Sequence, residues 1–554
     1  MITKTLELEV TANEPCPFGD VAQSMDQTDP FYPRQYVTAC AREGIARGKK
    51  ADIFDPYANI TRAQLLTMVV RGAALFGALD APTFAYYQGT SEGTHRFRSW
   101  SDPNHAQSAQ TAEFNGLLQG ILAGGDSGPT WNLYQAATRG EVAEILWRLQ
   151  QKIETSGLGR EVRIGVVSPL TGYLSMYGMV DQYCVERWAE YCGDGVVMGD
   201  GKRHPVAFLM ADTQSDANRA ASVTGDLVRK ERVDLVLVGS SSQTVAPVAD
   251  ACEYLGVPCI STDAPWQGFF YGRGGTSQVS FKWTYHVCWG LEDLAAAYLD
   301  LWSKAPAGKV VGIVSSNNAD GFAFRTQFLP ALAAAGYEVV DPGAVMPGTE
   351  DFTSIVNQFK NAGVEIVTGS MIPPDLTTFW KQSVQQGFTP DIVTVSQAAR
   401  FPYSVEAVGD IGVGLTTEVA WSPGFPFPSS LTGETAGELA ADFQTRTGQQ
   451  WLQSLSHYAL GEIAMDVLGR ASNPKDKESI LAALDSTKMD TIVGPVDFTS
   501  PVAEGMLHPV KNVCRSLLAA GQWISDTTFP YDLSIVGNAA APSVPLQGEL
   551  QLLP

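Results

Sequence analysis

No apolar run in this chain approaches the roughly 18 residues that a membrane-crossing helix needs. The first ten residues, MITKTLELEV, also lack the basic start, apolar stretch and small-residue cleavage site of a secretory signal. The expectation is that the protein either stays inside the cell or that its export signal is not part of this sequence. Histidine is scarce: His95, His105, His204, His286, His457 and His508 form no His-x-x-x-His pair and join no Cys/His cluster, so no metal site is expected. There is no Gly-x-Ser-x-Gly elbow, no Walker-type phosphate loop and no dinucleotide fingerprint. Neither catalysis nor a cofactor is expected. Basic residues are outnumbered 37 to 59, giving a net charge of -22 with no basic stripe, which excludes nucleic acid as a partner. Residues 1–150 account for only -4 of that charge, so the acidity belongs mainly to residues 151–554.

Eight cysteines in 554 residues are too few for a disulfide scaffold. Cys184 and Cys192, eight apart on a predicted helix, are about 12 Å apart along its axis and cannot bridge. Cys252 with Cys259, and Cys16 with Cys40, are pairs that folding can bring together. Most are expected to be small buried apolar residues.

What is present is a long alternation. Apolar runs recur at Val206–Asp212, Val233–Ser240, Val257–Ala264, Lys309–Ser316, Val364–Ser370 and Asp391–Ser396, beginning with EVRIGVVSPLTGYLSMYG at Glu161–Gly178. Between them lie helical stretches such as Asp216–Arg229, with Ala217, Ala220, Ala221, Thr224, Leu227 and Val228 on one face. Continuous apolar strands alternating with amphipathic helices imply an α/β fold with parallel sheets covered on both faces. The strands end in Ser, Thr and Asp, and open α/β sheets bind small ligands at that edge. The length suggests about three structural units.

The first 150 residues contain a different pattern, repeated. FGDV, YVTACAREGIARG and IFDPYANITRAQLLTMVVRGA, from Phe18 to Ala73, are followed by WSDP, TAEFNGLLQGILAGG and WNLYQAATRGEVAEILWRL, from Trp100 to Leu149. Thr61-Arg62 and Thr138-Arg139 are 77 residues apart and each begins a helix, the threonine as N-cap. Two copies of one helical hairpin are expected.

This repeat resembles the S-layer homology repeat, in copies at about 17–76 and 97–150 of an all-α segment 1–155. The resemblance implies attachment to a cell-envelope polysaccharide, with Arg62 and Arg139 at the positions that grip its acidic sugars, as a guanidinium suits a carboxylate. The first copy reads TRAQ where the second reads TRGE, and no third copy is present. The bland alternative is that both arginines only support their own helical turns.

Residues 161–540 resemble the type I periplasmic solute-binding proteins of the branched-chain amino acid, amide and urea group. The resemblance is carried by IGVVSPLTGYLSMYG, VGSSSQTVAPVADACEYLGVPCISTDAPWQGF, HYALGEIAMDVLGRA and VGPVDFTS in the family order. It implies a two-lobed clamshell, lobe 1 at about 161–285 and 414–500 and lobe 2 at about 286–413 and 501–540, with 541–554 as a tail. It implies ligand contacts from Tyr177, Ser241, Ser242, Asp263 and Trp266 of one lobe and Asp320, Phe322, Met371 and Gln397 of the other. It also implies an ABC-type permease as partner and an extracytoplasmic location. Alternatives stay open: Asp263 and Asp320 as caps, Trp266 as packing, and the whole chain as a ligand sensor or a structural envelope protein.

Overall fold

The computed structural model describes residues 1–23, 28–82, 97, 100–121, 131–502 and 509–553. It contains two compact units. One is Met1–Glu161 with Gly195–Val197 and Gly201–Pro205, and the other is the remainder from Val162 onward.

In the first unit the main helices are α1 (Arg34–Arg42), α2 (Arg62–Ala74), α3 (Ala106–Phe114) and α4 (Arg139–Ser156). Both threonines cap as the sequence leads one to expect. The Thr61 hydroxyl accepts from the Gln64 amide and the Gln64 side chain accepts from the Thr61 amide, and Thr138 and Glu141 form the same reciprocal pair. Behind the caps, Leu65, Leu66 and Val69 of α2 share one core with Ile145, Leu146 and Leu149 of α4. The loops that lead into α2 and α4 are laced together, with Ala63 donating to the Leu133 carbonyl, Arg62 to Gln135 and Ala137 to Ile60. Leu122–Gly125, the turn of the second copy, lies outside the described residues, as do His95 and His508.

The second unit is built on two sheets. The first contains β1 (Val162–Ser168), β2 (Val206–Asp212), β3 (Leu235–Gly239), β4 (Cys259–Thr262), β5 (Thr284–Val287) and the two-residue Val513–Cys514, in the order Val513–Cys514, β5, β4, β3, β1, β2, and every pair is parallel. The second contains β6 (Val310–Ile313), β7 (Glu338–Val340), β8 (Ile366–Met371), β9 (Ile392–Gln397), β10 (Thr416–Val419), β11 (Ala519–Ser525) and β12 (Tyr531–Gly537), in the order β7, β6, β8, β9, β10, β11, β12. Its first four pairings are parallel, and β11 adds antiparallel to both β10 and β12.

The chain passes between sheets later than expected at all three places. The strands β5, β10 and Val513–Cys514 complete their ladders beyond residues 285, 413 and 500, so β10 belongs to the second sheet and Val513–Cys514 to the first. The reason lies in composition. Thr416–Val419 reads TTEV and has no apolar run, and a two-residue strand has no pattern to read. Among the described residues no helix is long and apolar enough to cross a membrane. Cys252 and Cys259 do face each other, and burial, followed by that contact, raises the Cys252 thiol well above its usual range.

Candidate functional site

The two sheets bring their strand ends to a common cleft. From the first lobe, the chain leaves β3 through Ser240 and Ser241, and Ser241 caps α5 (Ser242–Leu255) by accepting from the Gln243 amide. From β4 it passes to Asp263, whose φ of 70° is a left-handed conformation that a non-glycine residue adopts at a cost. From the second lobe, α6 (Ala319–Ala334) is capped by Asn318, which leaves Asp320 in its first turn with a carboxylate to direct into the cleft. At the end of β9, Gln397 has φ 69°, the second left-handed non-glycine residue of the cleft.

One cavity is lined by Tyr177, Ser241, Asp263, Asp320 and Gln397 together. Its volume is about 20 Å³, space for about one water. Its floor is a charged network across the lobes. Arg400 donates to Asp263 at 2.9 Å and lies 3.8 Å from Glu418, and its guanidinium sits 5.7 Å from the Tyr177 ring centre. His457 joins Asp263 at 2.9 Å through Nε2 and Asp181 at 2.6 Å through Nδ1. A Cβ on residue 239 would fall 2.4 Å from His457 Nε2, so the end of β3 must be glycine for the imidazole to reach Asp263.

The electrostatics follow from this geometry. Burial opposes charge on His457, but Asp181 and Asp263 outweigh it and push its pKa up to about 10, so the ring is an imidazolium. Burial would raise Asp263, yet Arg400 and His457 hold it well below the usual carboxylate range. No cation among the described residues pairs with Asp320. Burial raises its pKa, and the hydroxyl and amide of Ser242 only partly offset that. Burial also pushes the Tyr177 phenol up strongly, with Arg400 pulling the other way.

Four expected contacts are placed elsewhere. Trp266 is wholly buried beneath its loop, its indole donating to Glu292 at 2.9 Å, because it shares the core-facing side of its short helix with Phe269 and Phe270. Phe322 is 71% exposed: two residues past Asp320 on a helix lies about 200° round the axis, so it faces away, and Phe324, four residues past, lines the cavity instead. Met371 follows the same logic with a period of two. Ser370 faces the cavity and Met371 is buried without lining it. Ser242 does not line the cavity either, and its hydroxyl is buried with no hydrogen-bond partner among the described residues.

Arg400, Glu418 and Trp289 line the cleft without having been singled out from the sequence. Glu418 is a lone acid in an uncharged strand, fully buried and held by the Tyr298 hydroxyl at 2.6 Å and the Ser396 hydroxyl at 2.8 Å. A charge isolated in a strand is the signal that marks it.

In the first unit Arg62 is engaged internally. It pairs with Glu141 through Nε at 3.2 Å and Nη2 at 2.7 Å, donates to Gln135 and the Asn132 carbonyl, and lies 4.8 Å from the Trp131 ring. That ties one copy of the repeat to the other and leaves little of the guanidinium for an outside ligand. Arg139 is exposed and forms no hydrogen bond or ion pair among the described residues.

A profile of the periplasmic binding protein family matches residues 161–510. The chain belongs to the periplasmic binding protein family. Among curated relatives of this periplasmic binding protein, it is 25% identical over 350 residues to the Leu/Ile/Val-binding protein BraC3 of Rhizobium johnstonii, covering 61% of this chain and 87% of that one. It is 26% identical over 211 residues to the Leu/Ile/Val-binding protein homolog 3 of Brucella melitensis, covering 37% of this chain and about half, 53%, of that protein's length. Among solved structures, a leucine-binding protein from Thermotoga maritima aligns with a TM-score of 0.55 at 17% identity, over 68% of this chain and 99% of the other. A solute-binding protein of an ABC transporter from Rhodopseudomonas palustris, solved with 3,4-dihydroxybenzoic acid, gives 0.55 at 16%, over 71% and 99%. These likenesses show the fold.

Proposed function

We infer that the chain is an extracytoplasmic solute-binding protein that captures a small polar metabolite between its lobes and presents it to an ABC-type importer. The observation that carries this reading is the convergence of Tyr177, Ser241 and Asp263 from one lobe with Asp320, Gln397 and Arg400 from the other around a single cavity. Polar groups at strand ends, two of them on strained backbone, are placed to hydrogen-bond a ligand only when the lobes meet. Relatives named for leucine, isoleucine and valine and a structural neighbour holding an aromatic acid set the range of ligand sizes, that of an amino acid, an amide or a related compound. Closure on the ligand gives the importer a shape to recognise.

The first unit serves as the envelope tether, with Arg139 as the arginine open to an acidic wall polysaccharide. Its exposure supports that role, and the engagement of Arg62 argues that Arg62 acts by holding the two copies together. The importer-linked reading is tested by ligand-dependent thermal stabilisation combined with small-angle scattering, where a metabolite that raises the melting temperature also reduces the radius of gyration. A protein unmoved by every metabolite pool contradicts it. Co-sedimentation with purified sacculi tests the tether, and loss of binding on Arg139→Ala is the expected result.

A further inference from the structure

The balance of charge in the cleft leads one step further, to the class of ligand, and it rests on the solute-binding reading. Arg400 is met by two carboxylates, Asp263 at 2.9 Å and Glu418 at 3.8 Å. His457 is also met by two, Asp181 at 2.6 Å and Asp263 at 2.9 Å. Three acids therefore compensate two bases before Asp320 is counted. Among the described residues Arg400 is the only basic one lining the cavity, and it is already shared between two acids. A ligand carboxylate would add to an acid excess in a place where water does not screen it.

The position that favours a carboxylate most already has an acid beside it. The N-terminus of α5 offers backbone amides to an anion. There Asp320, from the opposite lobe, lies near enough for Ser242 to lower its pKa, while the Ser242 hydroxyl and Asp320 Oδ1 are both buried with no hydrogen-bond partner among the described residues. A ligand carboxylate entering at that point meets a second acid.

The polar atoms left over ask for a different molecule. Gln397 is 5% exposed, its Nε2 donates to Asp320 at 3.3 Å, and its Oε1 is buried with no partner among the described residues. Trp289 is 3% exposed, and its indole N–H is likewise buried with no partner among them. Both line the cavity. One is an acceptor beside a carboxylate and the other is a donor. Tyr177, Phe324, Leu291 and Leu294 also line the cavity, with the Arg400 guanidinium already over the Tyr177 ring at 5.7 Å.

We propose that the cleft takes a small organic cation whose second polar group is a neutral acceptor, such as an amino alcohol or an amino-acid amide, in preference to a zwitterionic amino acid. Its ammonium donates to Gln397 Oε1 and the Asp320 carboxylate. Its hydroxyl or carbonyl oxygen accepts from Trp289. The lobes part to admit it, since the cavity holds about one water.

Titration calorimetry on the full chain tests this with leucinamide and ethanolamine as cations, leucine and glutamine as zwitterions, and 4-hydroxybenzoate as an anion. The expected result is binding of a cation at least about tenfold tighter than of leucine, with Asp320→Asn weakening the cation by about tenfold or more. Gln397→Leu serves as a second variant should Asp320→Asn fail to fold. Leucine or 4-hydroxybenzoate binding as tightly as leucinamide, or a cation affinity unchanged in both variants, overturns the ligand class and leaves the solute-binding reading standing. Silence from all five compounds and from an unfractionated metabolite extract overturns both.

Discussion

Arg400 of the second lobe donates to Asp263 of the first at 2.9 Å, and both side chains are almost wholly buried. The pair joins the two lobes. Removing Arg400 while the lobes stay shut leaves His457 as the one cation of this network against the buried Asp181, Asp263 and Glu418, an imbalance that costs up to about 3 to 5 kcal/mol. Arg400→Met is therefore expected to shift the protein toward an open form and to lower its denaturation midpoint. Small-angle scattering and urea unfolding read the two effects, and a variant as compact and as stable as the parent argues against a stabilising role for the pair.

His457 makes the stability of the binding unit depend on alkaline pH. Its pKa is about 10 in the folded protein and about 6.5 when unfolded, so the folded state holds its proton more tightly. The stabilisation is fully present below pH 6.5 and is lost as pH rises through 10. The melting temperature of the parent should fall across that window. His457→Gln should be less stable at pH 6.5 and should lose this part of the slope, and an unchanged slope would place the charge elsewhere.

Gln397 is held at φ 69°, where glycine sits without strain. Gln397→Gly is expected to leave stability unchanged or raise it by about 1 kcal/mol, and to weaken ligand binding because the amide is lost. Improved stability with full affinity would show that the side chain has no part in recognition.

In the first unit the 77-residue offset makes Gln64 the counterpart of Glu141 and Arg139 the counterpart of Arg62. Glu141→Gln keeps the reciprocal cap, as Gln64 shows, but removes the charge that Arg62 grips, at a cost of about 1 to 2 kcal/mol. Gln64→Glu should reduce polymer binding by offering Arg139 an internal partner. Thermal unfolding checks the first and co-sedimentation with sacculi the second.

The α/β alternation was legible because buried parallel strands are unbroken apolar runs, and each of the six runs after Glu161–Gly178 overlaps a strand of the fold. Thr61 and Thr138 were legible as caps because capping is local. The strand Thr416–Val419 was hidden by its own polarity, since Glu418 is satisfied by side chains from other elements. The cleft was legible in its loops and less so in its side chains. Phe322 and Phe324 differ only in rotation about a helix axis, which loop position does not reveal. Arg400 and His457 owe their importance to partners more than 130 residues away in sequence, 137 for Arg400 with Asp263 and 194 for His457 with the same residue. No local pattern carries such a pairing.

Native mass spectrometry of the protein after incubation with a metabolite extract is the most direct measurement of whether this cleft captures a solute. One small-molecule adduct per chain is the expected result, absent from an Asp263→Ala variant that circular dichroism shows to be folded. A bare chain mass under the same conditions, or an adduct that the variant retains, would contradict capture at this site.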